Sequence, residues 1–177
     1  MKGQVILSHG LESGPHATKV SALAEVATAM GWREVRPDYR DLDASRDVTR
    51  IDQRIARALA AVRPDAGPVV FAGSSMGAFT SGLASLQQSC VGLFLMAPPL
   101  RIPGYAREFA AAPVPTTIVH AWDDELIPCA EVVAFAQALS AHEMDVRVVS
   151  TSDEHDRAIE ELFAAAQRQV VLVVPWV

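Results

Sequence analysis

The chain has only two cysteines, Cys90 and Cys129, in 177 residues. A disulfide framework shows more cysteines in a shorter secreted chain, so a core held by packing is expected, in a reduced, cytoplasmic setting. An excess of positive charge is also missing. The formal net charge is −6 and no block of Lys and Arg stands out, which speaks against a nucleic-acid partner and does not favour acidic substrates. No apolar run is long enough to span a bilayer. Val5-Ile6-Leu7 is cut by Ser8-His9-Gly10, well short of a signal-peptide core, and Val170 to Val174 is shorter than any membrane span. Internal repeats, low-complexity tracts and linkers are absent as well. Half of the residues are apolar and a fifth charged, which excludes a disordered chain and, at this length, favours one domain with a sizeable core over residues 1–177.

Apolar runs and helical stripes alternate along the whole chain. Gln4 to Ser8 reads as a strand buried on both faces, and Val20, Leu23, Ala24 and Ala27 then fall on one helical face, ended by Gly31. A weaker strand over Glu34 to Pro37 precedes a stripe of Ile51, Ile55, Leu59 and Val62, with Arg54 and Arg57 directed away from it. Pro68 to Gly73, Val91 to Met96, Thr116 to Ala121 and Val146 to Ser150 read as further strands. Helices are expected over Met76 to about Gln88, Ala130 to Ala141 and His155 to about Gln169, with at most a short one around Tyr105 to Ala110. The Val170 to Val174 tail fits either an added strand or a buried helical end. Such alternation predicts a three-layer α/β/α sandwich around a mainly parallel, roughly six-stranded sheet. Its ligand site belongs outside the carboxyl ends of the strands, in the segments after Ser8, Gly73, Ala97, Ala121 and Ser150.

One of those segments carries a recognisable turn. Gly73-Ser74-Ser75-Met76-Gly77 joins an apolar strand to a helix in the pattern G-x-S-x-G, a nucleophile elbow that exposes its central serine above the sheet. A tightly packed turn, or a helix start presenting N–H groups to a phosphate, would use similar residues. A serine hydroxyl needs a base and an orienting carboxylate before it can attack. Of the five histidines, His155 alone follows the last core strand at the expected edge, while His142 belongs near a helix end on the opposite edge. Trp122-Asp123-Asp124-Glu125 follows the fifth strand at the same edge as Ser75 and supplies the carboxylate. The order Ser75, Asp124, His155 is the Ser, acid, His order of one hydrolase fold.

With these residues in place the chain resembles the α/β-hydrolase superfamily over nearly its whole length, and most closely its small lidless serine esterases. The resemblance rests on His9-Gly10, on Gly73 to Gly77, on His120-Ala121-Trp122-Asp123-Asp124-Glu125-Leu126-Ile127-Pro128 and on Asp153-Glu154-His155. In the family the third stretch commonly reads His-Gly-x-x-Asp-x-x-Val-Pro, which implies Asp124 as the acid, with Asp123 beside it as the alternative and Ala121 in place of the usual glycine. The family's first two strands precede its His-Gly turn and are missing here, which implies a minimal six-stranded fold. The resemblance further implies that the N–H groups of Leu11 and Met76 form the oxyanion hole, that His9 braces its turn, and that Gly10, Gly73 and Gly77 permit close approach. It implies a small carboxylic ester as substrate, with thioesters and amides open to the same machinery, since Pro98 to Pro115 is too short for a cap. No cofactor and no metal is expected: the clusters His120 to Glu125 and Asp153 to Asp156 lack zinc spacing. Cys129 has no base beside it, Ser74 is read as structural, and Trp122 fits either a pocket wall or a buried sheet edge. A protein-binding module on the same scaffold is the reading from another class.

Overall fold

The computed structural model describes residues 1–122 and 124–139 and the strand segments 145–149 and 169–173. In chain order these form β1 (Gln4–Ser8), α1 (Thr18–Ala29), β2 (Arg33–Val35), α2 (Arg40–Asp43), α3 (Ile51–Ala60), β3 (Val69–Ser74), α4 (Met76–Ser85), β4 (Gly92–Met96), β5 (Thr116–Ala121), α5 (Cys129–Leu139), β6 (Asp145–Val149) and β7 (Gln169–Val173). A single 3₁₀ turn, Val48–Arg50, leads into α3.

The seven strands among the described residues join one sheet in the order β2-β1-β3-β4-β5-β7-β6, and every pairing is parallel. Their carboxyl ends therefore share one edge. The sheet has one strand more than the six expected, because the Val-rich tail is extended. β7 pairs with β5 through Val119 and Val171 and with β6 through Val148 and Leu172, so a run of β-branched residues gains a ladder on both sides. Gln169, expected to end a helix, opens this strand. The rest of that helix, with His155 in it, lies outside the described residues, as do Asp123 and His142.

Alternation along the strands divides the core into two layers, one on each face of the sheet. Val5 and Leu7 of β1 pack with Leu23 and Ala27 of α1 and with Val70 and Ala72 of β3. Ile6 and Phe71 face the other way, against Ile51 and Ile55 of α3 and Phe79 and Leu83 of α4. α4 is buried along its entire length, since it crosses the centre of the sheet beneath α3. Here small residues decide the packing: a Cβ on Gly82 would run into the ring of Phe109.

The segment allowed at most a short helix has none, and one further expectation, for Arg54, is corrected. Residues 105–110 form no helix; the segment packs down as an irregular strap, with Phe109 buried against Phe79 and Phe135 at ring-centroid distances of 5.7 and 4.8 Å. Arg54 does not point away from the α3 stripe. It stands three residues after Ile51, on the same face as Ile55 and Ala58, and is 1% exposed. Its charge is tolerated there because Asp43 meets it at 2.5 and 2.6 Å, the His9 carbonyl accepts from it at 2.5 Å, and the Tyr39 ring lies 4.1 Å from its guanidinium carbon.

Candidate active site

The order of the strands turns around at β1: β2 lies on one side of it and β3 on the other. A crevice at such a switch point is where open parallel sheets bind ligands, and here the two loops bordering it follow Ser8 and Ser74. Ser75 stands between β3 and α4 with φ 53° and ψ −121°, a conformation that costs a non-glycine residue about 1–3 kcal/mol. The surroundings hold it there. Its N–H donates to the Met96 carbonyl at 2.8 Å and its carbonyl accepts from the Phe79 N–H at 3.1 Å, while the residue stays exposed between half-buried Ser74 and buried Met76.

Gly73 and Gly77 make this turn possible. A Cβ on Gly73 would strike the backbone of Gly77, and one on Gly77 would strike the main-chain oxygen of Ser8. Strand β1, the elbow and the start of α4 are therefore pressed backbone to backbone. Gly10 brings the neighbouring loop alongside less tightly, for a Cβ there would lie 3.3 Å from the Ser74 carbonyl oxygen and 3.6 Å from the Cβ of Ser75. Leu11 follows it, 46% exposed, and Glu12 continues the turn with φ 56°. Leu11 and Met76 line one cavity together.

His9 is fully buried, and both ring nitrogens are occupied. Nε2 accepts from the Tyr39 N–H at 3.0 Å, so the proton sits on Nδ1 and is donated to the Gly10 carbonyl at 2.8 Å. Burial, ahead of every other influence, pushes its pKa below 6.5, so Asp38, 3.8 Å away, faces a neutral ring. A histidine bound in this way fixes the loop and has no nitrogen left for catalysis. The Arg54 bond to the His9 carbonyl clamps the same loop from beneath.

At the end of β5, Asp124 is half-buried and its Oδ1 accepts from the N–H groups of Leu126 and Ile127, both at 2.9 Å. These bonds orient the carboxylate, and Oδ2 carries no bond to a described residue. His120, 1% exposed, donates from Nε2 to the Ile127 carbonyl at 2.8 Å and so ties the loop back to β5. Its Nδ1 has no partner among the described residues. Trp122 is 58% exposed, so it is not a buried sheet-edge residue. Burial raises the pKa of both thiols, Cys90 and Cys129, which makes them poor nucleophiles. Among the described residues no group of three or more His, Cys, Asp or Glu could hold a metal ion.

Ser75, Leu11, Met76 and Asp124 thus stand at one sheet edge, and β6, the last described element before His155, ends on the same edge at Val149. A protein from Xanthomonas campestris pv. campestris, assigned to the hydrolases of the α/β superfamily, is 45% identical over 92% of this chain and 96% of its own, with a TM-score of 0.75. The chain belongs to the α/β-hydrolase superfamily. Its fold recurs in an α/β serine hydrolase without a lid from Xanthomonas campestris, at 15% identity over 98% of this chain and 72% of that one, TM-score 0.56. It recurs also in Est1E from Butyrivibrio proteoclasticus, at 15% identity over 92% and 87% of the two chains, TM-score 0.62. No family model matches the chain, and no curated protein does. No helix among the described residues of this hydrolase-family chain is long and apolar enough to cross a membrane.

The Arg54–Asp43 pair and Tyr39 escaped sequence reasoning. A signal was present, since Arg54 falls in the i, i+3, i+4 register of the buried stripe. Nothing in the sequence, however, points to Asp43 or to the His9 carbonyl as its partners.

Proposed function

We propose that this hydrolase-family chain cleaves small carboxylic esters through an acyl-enzyme on Ser75. The observation that carries the reading is the backbone of Ser75 itself, held at positive φ with its hydroxyl exposed while glycine contacts on both sides pin the turn. Strain of this kind persists where the surrounding structure over-determines it. In the proposed reaction His155 takes the Ser75 proton as Oγ bonds to the ester carbonyl carbon, and Asp124 orients the resulting imidazolium through Oδ2. The N–H groups of Met76 and Leu11 receive the oxyanion. Collapse breaks the bond to the alcohol oxygen, which leaves with the proton from His155. Water then adds to the acyl carbon, giving its proton to His155, and that proton returns to Ser75 as the acid departs.

The strap after β4 supports an open site, because its Phe109 is packed onto α4 and α5 and Ser75 is exposed. Relatives that are named hydrolases or esterases support hydrolysis as the class of reaction. The reading needs no cofactor, nucleic acid or membrane, only an acyl ester and water, in a single domain working in the cytoplasm.

A fluorophosphonate probe tests it. Covalent labelling that disappears in Ser75→Ala supports the acyl-enzyme route, whereas an unlabelled intact protein points to a binding module. For the acid, Asp124→Asn is expected to lose far more ester turnover than Asp123→Asn; the reverse result moves the role to Asp123. Turnover should also fall as pH drops through the His155 pKa, and a flat rate between about pH 5 and 8 excludes His155 as the base.

A further inference from the structure

The cavity shared by Leu11 and Met76 has a volume of about 210 Å³, below the ~300–1,000 Å³ of pockets that take drug-sized ligands. It lies between the turn at Leu11 and the start of α3, and Met76, the residue after Ser75, forms part of its wall. Leu42, Ile51 and Met76 give it an apolar wall that suits a short methylene chain. Its remaining lining is charged, three carboxylates and three guanidinium groups, and the pairing among them is uneven.

Two of the three arginines are committed. Arg54 is bonded to Asp43, and Arg46 donates to Glu12 at 3.2 Å. The third carboxylate, Asp47, is turned toward the 3₁₀ turn, where its Oδ1 accepts from the N–H and the hydroxyl of Thr49 at 2.9 and 2.7 Å. That leaves Arg50, half-buried at the entry to α3, with no ion pair to a described residue. A guanidinium presents a planar fork of donors that matches a carboxylate.

On the reading that Ser75 carries the acyl group, we propose that the substrate acyl chain ends in a carboxylate, which Arg50 binds. The substrate class is then a half-ester of a short dicarboxylic acid. One uncommitted guanidinium balances one negative charge, which fits a carboxylate and not a phosphate dianion. The chain's overall charge of −6 does not oppose this, because screening at physiological ionic strength confines distant charges to a range of ~8 Å. The nearest competitor is Asp47, whose carboxyl is held below its ordinary pKa by the Thr49 bonds and, less strongly, by the charge of Arg50.

Titration of the Ser75→Ala protein with monomethyl glutarate and with its neutral amide isostere, methyl glutaramate, tests the site without requiring turnover. The anion is expected to bind at least about tenfold more tightly than the amide at low salt, the equivalent of one net charge-assisted contact, and the ratio should shrink as salt is added. Adding Arg50→Gln should abolish the preference, Arg50→Lys should keep part of it, and Asp47→Asn should increase it. Equal affinity for the two ligands, no detectable binding of the anion, or a preference that survives Arg50→Gln overturns the proposal. If the Ser75→Ala protein shows the preference while the parent protein resists fluorophosphonate, the hydrolase reading is lost and the anion site is kept.

Discussion

The Arg54 guanidinium holds the main-chain oxygen of His9 at 2.5 Å while gripping Asp43 with its other nitrogen. One buried cation thereby joins α3, α2 and the turn beside the elbow. Arg54→Leu removes it and strands the 9% exposed Asp43 carboxylate, so a loss of about 3–5 kcal/mol is expected in urea unfolding. The double substitution Arg54→Leu with Asp43→Leu should cost less than the single one, because no uncompensated charge then remains. A double mutant at least as unstable as Arg54→Leu would show that the pair does not act as a unit.

Gly77→Ala is expected to be severe, because the added Cβ meets the main chain of Ser8 and His9, and backbone cannot rotate aside as a side chain can. Overpacking costs about 1–3 kcal/mol, occasionally more, and this site belongs at the upper end. Gly31→Ala is the control: φ is +81° with nothing within 4 Å of the new Cβ, so only the left-handed backbone cost of roughly 1–2 kcal/mol applies. Denaturation midpoints of the two variants measure the difference.

Ser75→Gly separates strain from chemistry. Glycine accepts φ 53° without penalty, so the variant should be more stable than the parent by about 1–2 kcal/mol while losing all fluorophosphonate labelling. A variant less stable than the parent would mean that the Ser75 side chain contributes more to the fold than its backbone strain removes.

Stability should also fall in mild acid. Burial holds the folded pKa of His9 below its ordinary 6.5, so beneath that pH the unfolded chain binds a proton that the folded chain resists. The contribution is fully present above about pH 6.5 and is lost as pH drops from there through the folded value. Urea midpoints between pH 7 and 5 should decline in the parent and decline less in His9→Gln.

Asp124→Ala should disturb its loop more than Asp124→Asn, although both remove the charge. Asparagine keeps an oxygen for the Leu126 and Ile127 N–H groups, and alanine leaves both donors without it. The alanine variant is expected to be cleaved faster by protease within residues 121–128, and equal rates would argue against the bracing role of Oδ1.

The sequence by itself determined the parallel α/β architecture, since Val5-Ile6-Leu7, Val69-Val70-Phe71 and Leu93-Phe94-Leu95 are too short and too uniformly apolar for anything but strands buried on both faces. It also determined the elbow, because a glycine two residues either side of Ser75 encodes a local turn, and local geometry is written in neighbouring residues. The tail was ambiguous for the opposite reason. Whether Val170 to Val173 extends depends on finding β5 and β6 on either side, and no local residue records those neighbours. The same holds for the charges. Arg54 and Arg50 lie on one turn of chain, yet the tertiary structure alone decides that one is spent on Asp43 and the His9 carbonyl while the other lines the cavity without an ion pair to a described residue. Pairing of charges is set by distance in space, and residues 43, 9 and 54 meet only after the sheet has brought β1 against β3.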